Sequence, residues 1–367
     1  MKILTIVGAR PQFIKAAVVS RAVEDYNQTV SSEKRIDEII VHTGQHYDDN
    51  MSEVFFRQMQ IPFPRYHLGI GGGSHGTMTG RMLEALESLM IDEKPAIVLV
   101  YGDTNSTLAG ALAAAKLHIP VAHVEAGLRS FNMQMPEEIN RILTDRVSHW
   151  LFCPTETAIS NLKREGVDDW PGVQIKNIGD VMYDAALFYR ERSVAGQLVA
   201  DLLEQYKDGF YLATVHRQEN TDDSQRLKSI ITSLEEIAER VPVVFPLHPR
   251  TRKHLKELGM DMKRVTYIEP VGYFDMVCLL DKCQAVFTDS GGVQKEAYFF
   301  HKPCITLRDE TEWVELVEQG NNCLVGAERE SIINAEQEFI QQTRDFSITL
   351  YGDGKAGEKI VKFLVSL

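Results

Sequence analysis

Residues 2–19 read KILTIVGARPQFIKAAVV, and this stretch decides the fold. Ile3 to Val7 is almost continuously apolar, as a strand buried on both faces of a sheet must be. Gly8 ends it, and the chain passes at once into a segment of helical character with Pro11 near its start, where proline is favoured. A buried strand feeding directly into a helix is the first half of a βαβ unit. The same alternation recurs down the first half of the chain. Strands are expected at Lys2–Val7, Ile36–Val41, Ala96–Tyr101, Val121–Val124 and Trp150–Phe152, with helices near Gln12–Asp25, Asp49–Gln60, Thr77–Leu89, Thr107–Leu117 and Glu137–Asp145. It restarts after about residue 205, with strands expected at Phe210–Val215, Pro242–Pro246, Val265–Ile268, Ala285–Thr288, Cys304–Thr306 and Asn322–Val325. Strands alternating with helices predict parallel sheets. The reading is an α/β protein of two Rossmann-like halves facing a central cleft. The stretch Gly179–Lys207 is expected to hold a long helix plus a connector, and Glu358–Leu367 a C-terminal helix.

The chain has 367 residues, which at about 150 per domain fits two domains. Lys and Arg number 39 against 52 Asp and Glu, a net charge of −13 that counts against a nucleic-acid partner. A small anionic ligand stays compatible, because helix N-termini and a few arginines bind phosphate locally. No apolar run reaches the roughly 18 residues of a membrane span, and the N-terminus reads as a buried strand rather than a signal peptide. Five cysteines, at 153, 278, 283, 304 and 323, lack CxxC spacing and sit in apolar contexts. They are expected to be reduced core residues in a cytoplasmic protein, and no metal site is expected.

Several strand ends carry chemistry. After the first strand come Arg10 and Lys15, either surface cations or groups for an anionic substrate; cations are unfavourable beside a helix N-terminus unless an anion is near. A formal GxGxxG at Gly71, Gly73 and Gly76 follows a poor strand, RYHLGI, and falls in the wrong unit for a dinucleotide. TDSGGVQKEA runs from a strand through Ser290, a good N-cap, into Gly291 and Gly292. The two glycines either allow close packing or expose backbone N–H groups to a phosphate, with Glu296 placed to accept ribose hydroxyls. Asp103, Glu125 and Glu137 follow strand ends in the first half, and Arg129 and Arg141 are available to pair with them. TVHRQEN and PLHPRT set His216, Arg217, His248 and Arg250 at strand ends in the second half, for packing and capping or for a ligand.

Taken in order, GARPQFIK, HTGQH, YGDTNST, HVEAGLRS, MPEEINR, CPTE, TVHRQEN, DSGGVQKEA and LRDETEW resemble the non-hydrolysing UDP-N-acetylglucosamine 2-epimerases over nearly the whole chain. The resemblance implies a glycosyltransferase-B-type fold: a first domain over residues 1–180, a UDP-binding domain over 181–350, and a helix over 351–367 crossing back to the first. It implies Asp103, Glu125, Glu137 and His216 as catalytic residues. It further implies substrate contacts from Arg10, Lys15, Arg217, Met276, Ser290, Gly291, Gly292, Glu296 and Arg308, with Met276 where relatives set an aromatic against the uracil. Gln45, His46 and His248 match a regulatory UDP-sugar site of some relatives. The implied reaction eliminates UDP across C1–C2 and adds it back from the other face. It requires neither NAD nor a metal, and a homodimer is expected. GARPQ where many relatives have GTRPE, and RDETEWVE where many have RDTTERPE, are closer to the branch acting on UDP-2,3-diacetamido-2,3-dideoxy-glucuronate. Neutral Gln12 beside Arg10 and Lys15 is expected to leave positive charge for that substrate's carboxylate. The alternatives are UDP-N-acetylglucosamine as substrate, or a glycosyltransferase of the same fold.

Overall fold

The computed structural model describes residues 1–45, 56 and 60–367. Two compact units emerge: Met1–Ala185 together with Leu350–Leu367, and Ala186–Thr349.

The first unit is built on a seven-stranded parallel sheet. Its strands are β1 (Lys2–Val7), β2 (Asp37–His42), β3 (Tyr66–His67), β4 (Ile97–Tyr101), β5 (Val121–Val124), β6 (Trp150–Cys153) and β7 (Gln174–Asn177). Their order is β3-β2-β1-β4-β5-β6-β7. The apolar runs land in the middle: every residue of β4 and β5 is buried, as are five of the six in β1. The sheet is wider than the sequence indicates, because β3 and β7 were not expected. Tyr66–His67 is two residues long, and Gln174–Asn177 is largely exposed at the opposite edge. Edge strands bury too little to need an apolar run, so no signal marks them. The helix expected near Asp49–Gln60 lies almost wholly outside the described residues. Helix Arg10–Thr29 covers β1 and packs against the last helix, Ala356–Leu364. These two helices approach closely at Gly357, where a Cβ would lie 2.8 Å from Val18 Cγ1. Asp184 fastens the same point by accepting a hydrogen bond from Gly357 N at 2.9 Å.

The second unit repeats the plan with six parallel strands: β8 (Tyr211–Thr214), β9 (Val243–Pro246), β10 (Thr266–Ile268), β11 (Ala285–Thr288), β12 (Cys304–Thr306) and β13 (Asn322–Leu324). The order is β10-β9-β8-β11-β12-β13. Leu227, Ile230, Ile231 and Leu234 of helix Ser224–Ile237 pack with Tyr211, Phe245 and Phe287 of the sheet in one core. The expected long helix at 179–207 is two helices, Val181–Arg190 and Gln197–Gln205. Between them the chain is anchored by Gly196 N, which donates to Asp275 Oδ1 at 2.7 Å. All five cysteines are free; three are buried, while Cys278 and Cys323 are half-buried.

Each sheet has one point where the strand order reverses. In the first unit it lies between β1 and β4, in the second between β8 and β11. Loops leaving the C-terminal ends of such a strand pair diverge and leave room for a ligand. In the first unit the loop at that point is packed tightly. A Cβ on Gly8 would lie 2.0 Å from Ser106 Oγ and 2.3 Å from Thr43 Oγ1. Gly8→Ala is expected to lower unfolding free energy by about 1–3 kcal/mol through overpacking, read by urea denaturation.

Candidate functional site

In the first unit, β1 and β4 deliver their loops side by side. Gln12, in the first turn of helix Arg10–Thr29, is only 2% exposed. Its Oε1 accepts from Gly8 N at 2.8 Å and Ala9 N at 3.0 Å. Its Nε2 donates to Tyr101 O at 2.7 Å and Thr107 Oγ1 at 2.9 Å. The structure gives Gln12 a part inside the unit that the sequence does not show. The amide is occupied inside the unit, as donor and acceptor at once, and an ionised carboxylate could not supply the donor half. Lys15 is also engaged, in an ion pair with the Glu125 carboxylate.

Glu125 follows β5 directly and has φ +72°, a left-handed conformation that costs a non-glycine residue about 1–2 kcal/mol. Such strain persists only where the surroundings enforce it. Here Glu125 N and Ala126 N both donate to Phe152 O, at 3.0 and 3.1 Å. Below them, His123 is fully buried, with Nδ1 2.7 Å from Asp145 Oδ1 and Nε2 2.7 Å from Gly102 O. Asp145 also accepts from Gly127 N at 3.2 Å and Arg129 Nη1 at 2.7 Å. One buried carboxylate thus ties the strand end before Asp103 to the loop that carries Glu125. Gly102 has φ +63°, and a Cβ there would sit 3.3 Å from Glu125 Oε2 and 3.4 Å from Lys15 Nζ, so the ion pair lies over its Cα.

Asp103 is held from helix Pro136–Val147. Arg141 donates to Asp103 Oδ2 from Nε at 2.9 Å and lies within 2.7 Å through Nη2, while Asn140 Nδ2 donates to Asp103 O at 2.8 Å. Arg141 is oriented in turn by Glu138 at 2.8 Å. Glu138 is 1% exposed. Burial pushes its carboxyl up, but the Ser130 and Phe131 amides and Arg141 outweigh burial and hold it below the ordinary range. Its neighbour Glu137 is exposed in the first turn of the same helix. Of the two arginines available to pair with the candidate acids, Arg141 does so with Asp103. Arg129 instead bridges Asp145 and Glu165. Arg10 is half-buried at the start of its helix. Gln45 Oε1 accepts from Ser106 N at 3.0 Å and Ser106 Oγ at 2.8 Å, which closes the start of helix Asn105–Lys116. His46 lies outside the described residues, and His248 belongs to the other unit.

In the second unit, His216 and Arg217 leave β8 while Asp289 and Ser290 leave β11. Asp289 is completely buried; it accepts from His216 N, Arg217 N and Asn220 Nδ2. The His216 and His248 rings lie 5.6 Å apart. Burial pushes both imidazoles below their ordinary pKa; for His216, Asp289 opposes the shift while His248 and Arg217 add to it. Ser290 occupies the N-cap of helix Gly291–Phe299, but its hydroxyl makes no cap bond. The two glycines behave differently. A Cβ on Gly291 would lie 2.3 Å from Glu312 Oε1, whereas a Cβ on Gly292 would meet nothing within 4 Å. Close packing explains the first, and open space at a helix N-terminus, suited to an anion, surrounds the second. Glu296 stands one turn beyond Gly292, and burial pushes its carboxyl up to about 7. Arg308, 4% exposed, is held by Glu219 at 3.1 Å and Glu312 at 2.8 Å. Met276 is half-buried in the first turn of helix Tyr273–Lys282.

Sequence reasoning passed over the polar residues that hold these groups: Glu138, Asp145, Asp289 and Glu312. Asp145 lies in the last turn of helix Pro136–Val147, outside every motif that drew attention. Asp289 stands inside a motif whose glycines drew the reading.

Two parallel Rossmann-like sheets, with polar groups gathered at both strand-order reversals, define an enzyme of glycosyltransferase-B-type architecture. A model of the family described as UDP-N-acetylglucosamine 2-epimerase matches residues 28–365, and the chain belongs to that family of isomerases. It is 58% identical, over all of both chains, to the UDP-2,3-diacetamido-2,3-dideoxy-D-glucuronate 2-epimerase of Pseudomonas aeruginosa. Among solved structures, it is similar to the Methanocaldococcus jannaschii UDP-GlcNAc 2-epimerase in complex with UDP-GlcNAc and UDP, at 44% identity and TM-score 0.87, with all of both chains covered. It is also similar to the Neisseria meningitidis UDP-GlcNAc 2-epimerase bound to UDP-GlcNAc, at 32% identity and TM-score 0.85, again with all of both chains covered.

Two outcomes follow from the second unit. Gly291→Ala is expected to destabilise the fold by about 1–3 kcal/mol through the Glu312 contact, while Gly292→Ala leaves unfolding free energy unchanged or slightly raised; urea denaturation of both reads the difference. Glu296 takes up its proton near 7 in the folded chain against an ordinary 4.5. Its contribution to stability is therefore full below about 4.5 and is lost as pH rises through about 7. Glu296→Gln is expected to remove that part of the slope, seen as the difference between the two proteins in denaturation at several pH values across the interval.

Proposed function

We propose that this chain inverts C2 of UDP-2,3-diacetamido-2,3-dideoxy-D-glucuronate, giving the manno epimer. The observation that carries the reading is the 58% identity, end to end, with the Pseudomonas aeruginosa enzyme of that name. The product would serve surface polysaccharide synthesis, O-antigen or capsule, by a cytoplasmic homodimer. The five free cysteines suit a reducing compartment.

In the proposed reaction a carboxylate removes the C2 proton, the C1–O bond to the diphosphate breaks, and UDP leaves with the bonding pair. A glycal-like double bond now joins C1 and C2. A proton then returns to C2 on the opposite face while a diphosphate oxygen re-forms the bond to C1. Asp103, Glu125 and Glu137 are the proposed acid–base groups. Lys15 orients Glu125, and Arg141 does the same for Asp103. His216 and the open amides at Gly292 would stabilise negative charge on the leaving diphosphate. Ser290 and Glu296 would hold the nucleotide. Arg10, Arg217, Arg308 and Met276 are further proposed substrate contacts, and Gln45, His46 and His248 a proposed regulatory set.

The test is an NMR time course in D2O without any acceptor. The diacetamido uronate is expected to yield its C2 epimer with deuterium at C2 and no net UDP. Epimerisation of UDP-GlcNAc in preference to the uronate would replace the substrate assignment, and the absence of C2 exchange with either sugar would sink the reaction itself. A glycosyltransferase would give no epimer under these conditions. Asp103→Asn and His216→Asn are each expected to lower kcat by about 100-fold or more.

A further inference from the structure

Asp289 is buried completely, and its contacts go to one place. His216 N donates to both of its oxygens at 3.0 Å, Arg217 N to Oδ2 at 2.9 Å, and Asn220 Nδ2 to Oδ2 at 3.2 Å. Its own backbone N donates to Thr214 O at 3.2 Å. Every one of these bonds holds the end of β8 or the loop that leaves it. The His216 ring closes on the same carboxylate, with Nδ1 3.7 Å from Oδ1. We infer that Asp289 is the positioning residue of His216: it fixes the backbone that presents the imidazole and keeps hydrogen on Nδ1, so that Nε2 is the nitrogen directed at the leaving diphosphate.

The chemistry sets the tautomer. An ionised carboxylate only accepts, so the ring nitrogen facing it carries the hydrogen. A modest ring movement turns 3.7 Å into a hydrogen bond, and contacts of this kind tighten when substrate binds. His248 supplies the contrast. Its Nδ1 accepts from Arg250 N at 3.2 Å, so its neutral ring carries hydrogen on Nε2. Two histidines whose rings are 5.6 Å apart are therefore of opposite tautomer. The charged or titratable groups around His216 are Asp289 from the β11 loop, His248 from the β9 loop and Arg217 from its own loop. Asp289 alone among them favours the imidazolium.

The inference rests on the role proposed for His216, yet its test is read without substrate. Imidazole 15N NMR of the full chain, with His216→Asn and His248→Asn to assign two of the 11 histidines, gives the tautomers directly. His216 is expected as Nδ1–H and His248 as Nε2–H. A His216 ring found as Nε2–H overturns the proposal even if the chain epimerises UDP-sugars. In Asp289→Asn, the His216 titration is expected to move to lower pH, and kcat to fall at least tenfold with KM changed less than threefold. An unchanged titration and kcat in a folded Asp289→Asn protein would reject the positioning role. Should that variant not fold, the tautomer of the unmodified chain still decides.

Discussion

One buried polar side chain at each strand-order reversal carries the local architecture. Strands that end together leave backbone N–H groups pointing into the loops, and a buried unpaired N–H costs about 1–3 kcal/mol. In the first unit Gln12 satisfies Gly8 N and Ala9 N and reaches across to Tyr101 O, joining the ends of β1 and β4. In the second unit Asp289 satisfies His216 N and Arg217 N, joining the ends of β8 and β11. The two devices are alike in function and opposite in direction: one reaches from the helix after the first strand, the other from the loop after its neighbour. Remove either and the loops that bear the candidate groups lose their anchor.

A chain with net charge −13 that takes an anionic substrate has to confine its positive charge. It does so by local pairing: Lys15 sits with Glu125, Arg141 with Asp103 and Glu138, and Arg308 with Glu219 and Glu312. Cations so paired orient acids as much as they attract anions. A feature suited to phosphate is the helix start at Gly292, where Ser290 makes no cap bond, a Cβ would meet nothing within 4 Å, and the dipole needs no ionised side chain.

The strands of both sheet centres were legible because burial on two faces demands continuous apolar runs; β1, β5, β11 and β12 fall on the residues the sequence indicates. Edge strands β3 and β7 were not legible, since exposed strands need no such run. Among site residues, Asp103, Glu125, His216 and Ser290 stand at the strand ends or helix start where their motifs set them. The internal bonds of Gln12 were not legible, because a sequence places a residue next to Arg10 and Lys15 in order and does not record the direction in which its amide points. Gly291 and Gly292 look equivalent in the sequence, and only the approach of Glu312, 21 residues further on, separates them.

Local sequence therefore determined the two parallel α/β sheets, the places where their strands end, and the set of reactive groups at those ends, because hydrophobic period and turn residues act over a few neighbours. Tertiary structure decided which of those groups are engaged and by what. His123 with Asp145, Arg141 with Asp103, and Asp289 with the β8 loop are separated by 22, 38 and about 73 residues. Contacts of that span arise only when the sheet order brings distant strand ends together, and no pattern along the chain records them.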